Sequence, residues 1–144
     1  MSEPKKKDPE YGAPAVDQES RAYWEGCGRG ELVLQRCRDC GTVQHRPRAI
    51  CATCLSSGIE HFVASGRGTV YTYSVVRQNQ MPAFREAVPY VVAYVQLEEG
   101  PQLLTNVVGC APEAVSIGMP VRVDFVPTPG PRGEPLGVPR FVPA

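Results

Sequence analysis

Regular alternation of hydrophobic and polar side chains runs through the second half of the chain and predicts β-strands. The clearest case is segment 66–77, in which the alternation places Tyr71 and Tyr73 on one face and Val70 on the other. Glycine- and proline-containing turns separate this segment from later apolar or alternating ones. The later segments predict four further strands, at 90–97, 102–108, 121–126 and 137–142, and one helical turn at 111–115.

Five strands with a helical turn between the third and the fourth are typical of an OB-fold barrel. Closing the sheet would also remove the exposed edges that such apolar strands otherwise present. We therefore predict a mainly β protein in which residues 63–144 form a five-stranded OB-fold barrel.

The region before the barrel lacks this alternation and predicts three smaller parts. Residues 1–16 are polar, with several prolines and a run of lysines, and predict a flexible or loosely docked arm. An N-terminal helix is predicted over 17–31, and because it is short it must pack on another element to be stable. Trp24 in this helix either packs within its own domain or inserts into a groove of a partner. Residues 32–62 form the third part.

Four cysteines supply the strongest motif of this third part. Cys37, Cys40, Cys51 and Cys54 form the pattern C-x2-C-x10-C-x2-C, in which two short hooks direct four sulfurs at one tetrahedral centre. We predict a rubredoxin-like zinc ribbon with these four ligands. The Zn²⁺ would be structural, because four thiolates leave no open position for water. Two disulfides are the alternative, and a reducing compartment argues against them.

The remaining thiols and imidazoles predict no catalytic centre. Cys27 and Cys110 are interpreted as small, semi-buried thiols, because the sequence places no base beside either of them. His61 is predicted at the surface, and His45 would ligate a metal only by replacing a cysteine. No nucleophile-elbow, phosphate-loop or dinucleotide motif occurs in the chain.

Charge is balanced over the chain and uneven along it. The 144 residues have a formal net charge of +0 at pH 7, which argues against a dedicated nucleic-acid binder. Between residues 21 and 67, arginines outnumber acidic residues, so the ribbon is locally basic. Such a surface could meet phosphates or an acidic partner, or simply be solvated. No apolar stretch has the length of a membrane span and no secretory signal is recognised, so we predict no membrane association and a cytoplasmic location.

The loop 77–89 joins the first two barrel strands, a position that contacts ligands in OB folds. Its apolar Met81, Phe84 and Val88 are mixed with charged residues. This composition predicts either an interface loop with an apolar tip or an ordinary solvent-exposed loop.

The order of these motifs resembles the acyl-CoA-associated OB-fold proteins with a rubredoxin-like zinc ribbon, long catalogued as a domain of unknown function. The resemblance covers residues 23–143, which is most of the chain. It begins with a helix that carries Tyr and Trp and continues through GELVLQRCRDCG, RPRAICATC, SGRGTVYTYSVV, PYVVAYVQLEEGPQLLTNVVG, SIGMPVRVDF and PRFVP. The family's zinc ligands correspond to the four cysteines of the ribbon.

This resemblance implies a non-catalytic but required subunit of a hetero-oligomer. The partner would be a thiolase-fold protein that carries the catalytic Cys and His. The reaction would be thiolytic or retro-aldol cleavage of a carbon–carbon bond in an acyl-CoA. One similar type is the small subunit of the benzoylsuccinyl-CoA thiolase of anaerobic toluene breakdown, a route of aromatic degradation.

Coenzyme A is the ligand that the resemblance implies. It carries a pyrophosphate and a 3′-phosphate, and arginine suits both through paired hydrogen bonds. We predict that Arg36, Arg38, Arg46 or Arg48 helps to hold the nucleotide part, while the loop 77–89 lines the acyl tunnel or docks the partner. One alternative is a stand-alone module that binds acyl-CoA or a lipid carrier. Another is a single-stranded nucleic-acid binder that stacks bases on tyrosines of the first barrel strand.

Overall fold

The structure is a computed structural model that describes residues 6–144, so the first five residues of the predicted arm lie outside it. Residues 6–144 contain two helices, α1 (Arg21–Gly28) and α2 (Pro82–Arg85), and a 3₁₀ turn at Pro112–Ala114. No helix within the described range is both long and apolar enough to cross a membrane. The strands are β1 (Val33–Cys37), β2 (Val43–Gln44), β3 (Ile59–Val63), β4 (Arg67–Val76), β5 (Tyr90–Leu97), β6 (Gln102–Val107), β7 (Pro120–Pro127) and β8 (Gly137–Pro143).

Strands β4 to β8 form a closed barrel with the order β4-β5-β6-β8-β7. Only β6 and β8 pair in parallel, through Val107 and Phe141, and this pair closes the barrel. The 3₁₀ turn lies between β6 and β7, where the sequence predicts a helical turn. The barrel interior is packed with buried apolar side chains, among them Val91, Val95 and Val121. The prediction of a mainly β protein with a five-stranded OB-fold barrel is confirmed.

A β-bulge in β4 changes the predicted faces of this strand. The register of β4 against β5 shifts between Val70 and Thr72. Before the shift, Val70 faces the core, and after it Tyr73 lies opposite the buried Ala93. Because the extra residue of a bulge reverses the alternation that follows, Tyr73 lies on the same face as Val70, and the prediction that Tyr71 and Tyr73 share the face opposite Val70 is wrong.

The cysteine-containing segment forms a second, three-stranded antiparallel sheet with the order β2-β1-β3. β1 and β2 lie on either side of the first hook. β3 was not predicted from the sequence, and it pairs along the whole of β1 from Val33 to Cys37. The sheet brings the second hook back beside the first, which is how a ribbon assembles one metal site from two distant hooks.

Helix α1 is shorter than the predicted segment 17–31 and joins the ribbon to the barrel. Its Tyr23 and Cys27 are buried in the main hydrophobic core. At its end, a Cβ added to Gly28 would overlap the carbonyl group of Pro135, so only glycine permits this close approach. Trp24 is half-buried and packs edge-on against Tyr23, with ring centroids 4.9 Å apart. Trp24 therefore packs at least partly within its own chain.

Residues 6–16 have no regular secondary structure, but they pack against the barrel. The hydroxyl of Tyr11 donates a 2.6 Å hydrogen bond to Oδ1 of Asn106 on β6, and burial raises the pKa of Tyr11 to about 12. The Tyr11 ring meets Phe84 edge-on, and the N–H of Glu10 donates to the carbonyl of Ala83. This part of the predicted arm is thus docked. The domain boundaries at 16, 31 and 62 stay a prediction.

Candidate zinc site and the adjoining basic groove

The four predicted zinc ligands converge on one point. The Sγ atoms of Cys37, Cys40, Cys51 and Cys54 all lie within 4.8 Å of one another. Two of the separations, Cys37 to Cys54 and Cys40 to Cys51, are 3.6 Å. Four sulfurs placed about 2.3 Å from a central Zn²⁺ in a tetrahedron are about 3.8 Å apart, so the arrangement fits this ion. The four cysteines of the ribbon thus lie close enough together to support a structural zinc ion, and their assignment as its ligands stays a prediction.

Each hook is shaped by a left-handed residue directly after its second cysteine. Gly41 has φ of 78° and Leu55 has φ of 64°. In the first hook the N–H of Gly41 donates to the carbonyl of Cys37, and in the second the N–H of Leu55 donates to the carbonyl of Cys51. Glycine adopts this conformation readily, whereas leucine rarely does, so Leu55 is held there by the fold. The sequence indicates the first turn through its glycine and gives no such signal for the second.

Local hydrogen bonds favour the thiolate form of Cys51 and Cys40. By contrast, despite a backbone hydrogen bond from Ser56, the Cys37 thiol raises the pKa of Cys54 to about 12. Backbone N–H groups of Cys54 and Thr53 lower the pKa of Cys51 to about 6. The hydroxyl of Thr42 lies 3.1 Å from Sγ of Cys40 and helps to lower the pKa of that thiol as well. Four thiolates would complete the coordination of a Zn²⁺, whose part here is to hold the two hooks together.

A buried glutamine pair fixes the loop between the hooks, and sequence reasoning missed it. Gln35 Oε1 accepts hydrogen bonds from the N–H of Arg48 at 3.0 Å and from Gln44 Nε2 at 2.8 Å. Gln35 Nε2 donates to the carbonyl of Arg48, and Gln44 Oε1 accepts from the N–H of Ala52. Both glutamines are buried, so this network sets the path of residues 44–52. A single glutamine in β1 and another in β2 carry no sequence signal for such a network.

The fixed loop forms one wall of a groove of about 530 Å³ between the ribbon and the barrel. Arg46 and Arg48 line this wall, and both side chains are exposed. Tyr94 and Leu104 line the opposite wall, and these apolar side chains are 43% and 58% exposed. The opposite wall belongs to β5 and β6, the second and third barrel strands, whose outer face binds ligands in many OB folds. We call this feature the basic groove.

The four arginines predicted to bind CoA divide into two pairs. Arg46 and Arg48 share the basic groove, and within residues 6–144 neither forms an ion pair. Arg36 and Arg38 lie on β1 and beside it, away from this groove. The Arg36 guanidinium lies 4.2 Å from the centre of the Phe62 ring, and Arg38 Nε lies 3.3 Å from Oε2 of Glu60. The second pair therefore already has partners in its own chain.

The two histidines lie outside the metal site. His45 lines the basic groove, where burial, aided by Arg46, lowers its pKa to about 4. It is therefore neutral at physiological pH, and the positive charge of the groove comes from the two arginines. His61 is exposed, as predicted. The positions of both agree with a complete set of four cysteine ligands.

The two spare cysteines show no catalytic setting. Burial raises the pKa of Cys27 to about 12, and burial also raises the pKa of the half-buried Cys110. Both thiols are thus kept protonated.

The loop 77–89, which was predicted either to form an interface or to be solvent-exposed, contains the short helix α2. The docked arm covers part of the apolar side of this loop, because the Tyr11 ring packs against Phe84. Met81 at the tip of the loop is 60% exposed.

Comparison with known proteins identifies the family. The family model described as "ChsH2, rubredoxin-like zinc ribbon domain" matches residues 24–60, and the one described as "ChsH2, C-terminal OB-fold domain" matches residues 63–126. A DUF35 domain-containing scaffold protein of Methanocaldococcus jannaschii is 43% identical over 95 residues, which cover 65% of this chain and 67% of that protein. The chain belongs to the DUF35 family. The resemblance inferred from its motifs is confirmed.

Other similar proteins bear the names of enzymes or enzyme subunits. A probable enoyl-CoA hydratase alpha subunit of Thermomonospora curvata is 42% identical over 113 residues, covering 78% of this chain and 35% of that protein. The chain thus spans about a third of the length of this relative. A solved structure named "Ltp2-ChsH2(DUF35) aldolase" superposes with a TM-score of 0.77 at 40% identity, covering 90% of this chain and 98% of the other.

Proposed function

We propose that this DUF35 protein is the non-catalytic, required subunit of a hetero-oligomeric enzyme complex that acts on acyl-CoA. Two observations support the proposal. Of the similar proteins above, one is named a probable hydratase alpha subunit, one is named a scaffold protein, and the solved structure is named an aldolase. Within residues 6–144, neither spare cysteine has the lowered pKa that a nucleophile needs. The partner we propose is a thiolase-fold enzyme that carries the catalytic Cys and His and cleaves a carbon–carbon bond by thiolysis or retro-aldol reaction.

The basic groove is our proposed binding site for the nucleotide part of CoA, and it is the observation that carries the ligand assignment. Its volume of about 530 Å³ is suited to a small molecule. Arg46 and Arg48 are free to bind the pyrophosphate and the 3′-phosphate through paired hydrogen bonds. Across the groove, the exposed ring of Tyr94 offers a stacking surface for adenine, and Leu104 offers an apolar surface for the pantetheine chain.

The role of Arg36 and Arg38 in CoA binding is less well supported by the structure. Both guanidinium groups already contact side chains of the ribbon. A phosphate would have to displace Glu60 from Arg38 before it could bind there. The proposal for the CoA phosphates therefore narrows to the groove pair, and the other two arginines become natural controls.

The accessory role is tested by reconstitution with a thiolase-fold enzyme from the same organism. We expect the two proteins to co-purify as one complex, and we expect the enzyme alone to lose most of its acyl-CoA cleavage activity. The measurement is the kcat/KM of the enzyme with and without this chain, together with size-exclusion chromatography of the mixture. If the two chains stay separate and the enzyme is fully active alone, the accessory role is wrong.

The groove assignment is tested separately by calorimetric titration of the zinc-loaded chain with CoA. Replacing Arg46 and Arg48 together by methionine should weaken CoA binding about 100-fold, because each charge-assisted contact contributes about 1.5 kcal/mol or more. Removing the 3′-phosphate from the ligand should weaken wild-type binding and have a smaller effect on the double variant.

The matched control for this titration is the pair Arg36→Met and Arg38→Met, which removes the same charge from the ribbon outside the groove. We expect this control to bind CoA nearly as tightly as the wild type. An equal loss in both double variants would show a general charge effect and contradict the groove site. Salt-dependent binding of a single-stranded oligonucleotide in place of CoA would favour the nucleic-acid alternative.

A further inference from the structure

The strand β4 is paired on both sides over only part of its length. It pairs with β5 along nearly its whole length, but it pairs with β7 only through residues 67–69. The backbone of Val70 still bonds to Gly118 and Met119. Beyond Val70, no strand of the described chain lies on the outer side of β4. Residues 71–76 therefore form an edge strand that extends past the closed part of the barrel.

The register shows which backbone groups of this edge are free. In an antiparallel ladder, alternate residues direct their N–H and C=O groups to opposite neighbours. Leu97 donates to Pro101 on the β6 side, and Glu98 donates to Arg67 on the β4 side. Even-numbered residues of β5 thus bond to β4, and their partners include Thr72 and Ser74. Tyr73 and Val75 alternate with Thr72 and Ser74. Their backbone N–H and C=O groups therefore point away from β5, toward the free edge.

These outward groups have no hydrogen-bond partner within residues 6–144. The side chains along the edge also lack the features that usually protect one. Residues 70–76 contain no charge and no proline, and Tyr71 is 56% exposed. Proteins normally place lysine, proline or a covering element at such an edge. A bulge is present, but it lies at the start of the free segment. The edge is therefore suited to receiving another strand.

We propose that the edge strand 71–76 pairs antiparallel with the same strand of a second copy of this chain, with Ser74 at the two-fold axis. In this register, Tyr73 lies opposite Val75 of the second copy, which is a favourable aromatic and β-branched pair. The N–H and C=O groups of Tyr73 and Val75 give each copy two donors and two acceptors. Pairing them across the dimer forms about four intermolecular hydrogen bonds in total. Arg77 lies opposite Tyr71, so no like charges meet. The self-complementary, uncharged sequence is what points to a second copy rather than to a charged partner surface.

The pairing is tested by sedimentation velocity of the full chain over a wide range of concentrations. The wild type should form a reversible dimer. Replacing Ser74 by lysine should weaken dimerisation at least about tenfold, because two lysines would then face each other across the axis. Ser74 is exposed in the single chain, so the substitution leaves the barrel intact. The matched control is Thr69→Lys. Thr69 lies on the same strand and is also exposed, but at this position β4 is already paired with β5 on one side and with β7 on the other.

Amide hydrogen exchange of the wild type gives a second measurement, which does not depend on the charge that a lysine variant introduces. The N–H groups of Tyr73 and Val75 should become protected as the protein concentration rises, while that of Ser74 should be protected at all concentrations. A monomer at every concentration, or equal weakening by Ser74→Lys and Thr69→Lys, would overturn the proposal. Protection of Tyr73 and Val75 only in a complex with a partner enzyme would assign the edge to that enzyme and would likewise overturn the pairing of two copies. The result is independent of whether the chain binds CoA.

Discussion

Replacing Cys51 by serine is expected to abolish stoichiometric zinc binding and to unfold the ribbon. Cys51 is completely buried, and backbone N–H groups lower its pKa to about 6. Its loss removes one of four ligands and leaves the two hooks unconnected. The sheet β2-β1-β3 is small and cannot bury a core of its own, whereas structural zinc contributes on the order of 10–16 kcal/mol in such modules. The measurements are zinc content by mass spectrometry and thermal unfolding by circular dichroism.

The control for this experiment is Cys110→Ser, which removes a half-buried thiol outside the site. This variant should keep its zinc and lose little stability. Treating the wild type with a strong chelator should reproduce the behaviour of Cys51→Ser. If Cys51→Ser bound zinc with wild-type stoichiometry and kept the wild-type melting temperature, the proposed role of the ion as the main stabiliser of the ribbon would be wrong.

Replacing Phe141 by alanine is expected to lower the free energy of unfolding by about 3–5 kcal/mol. Phe141 is fully buried on β8, where it lies opposite Val107 of β6 and Val123 of β7. It therefore fills the place where the barrel closes, and truncation leaves a cavity between three strands. Because small domains are stable by about 5–15 kcal/mol in total, this loss is large. Urea unfolding followed by circular dichroism measures it.

Two further variants separate a cavity effect from a general effect of substitution. Phe141→Leu keeps most of the apolar volume and should lose about half as much stability or less. Ile117→Ala removes a side chain that is 71% exposed and should change the free energy of unfolding by about 0.5 kcal/mol or less. Equal losses for Phe141→Ala and Ile117→Ala would contradict the assignment of Phe141 to the closure of the barrel.

Features that depend on neighbours in the sequence were predicted well. The four predicted zinc ligands lie within two hooks whose shape is set by turns of a few residues, so their spacing alone predicts the cluster that the structure shows. The barrel strands were predicted close to their observed bounds, because a period of two residues is a local pattern. Their number and the position of the helical turn then indicated an OB-fold barrel. The family followed from the order of these same motifs.

Features that depend on pairing between distant segments were not predictable in this way. The bulge in β4 follows from its register against β5, and it reverses the face on which Tyr73 and Val75 lie. β3 lacks strong alternation and exists because β1 lies beside it. The arm looked mobile from its composition, yet Tyr11 reaches Asn106, which is 95 positions away.

The basic groove shows the same division most directly. The sequence by itself determined the family, the cluster of four cysteines and the barrel, and it drew attention to four arginines of the ribbon. Only the tertiary structure brought Arg46 and Arg48 opposite Tyr94 and Leu104 and gave Arg36 and Arg38 partners within the chain. The physical reason is that a period or a spacing fixes the conformation of one segment, whereas a groove is fixed by packing between segments, here through the buried Gln35 and Gln44 that hold the loop in place.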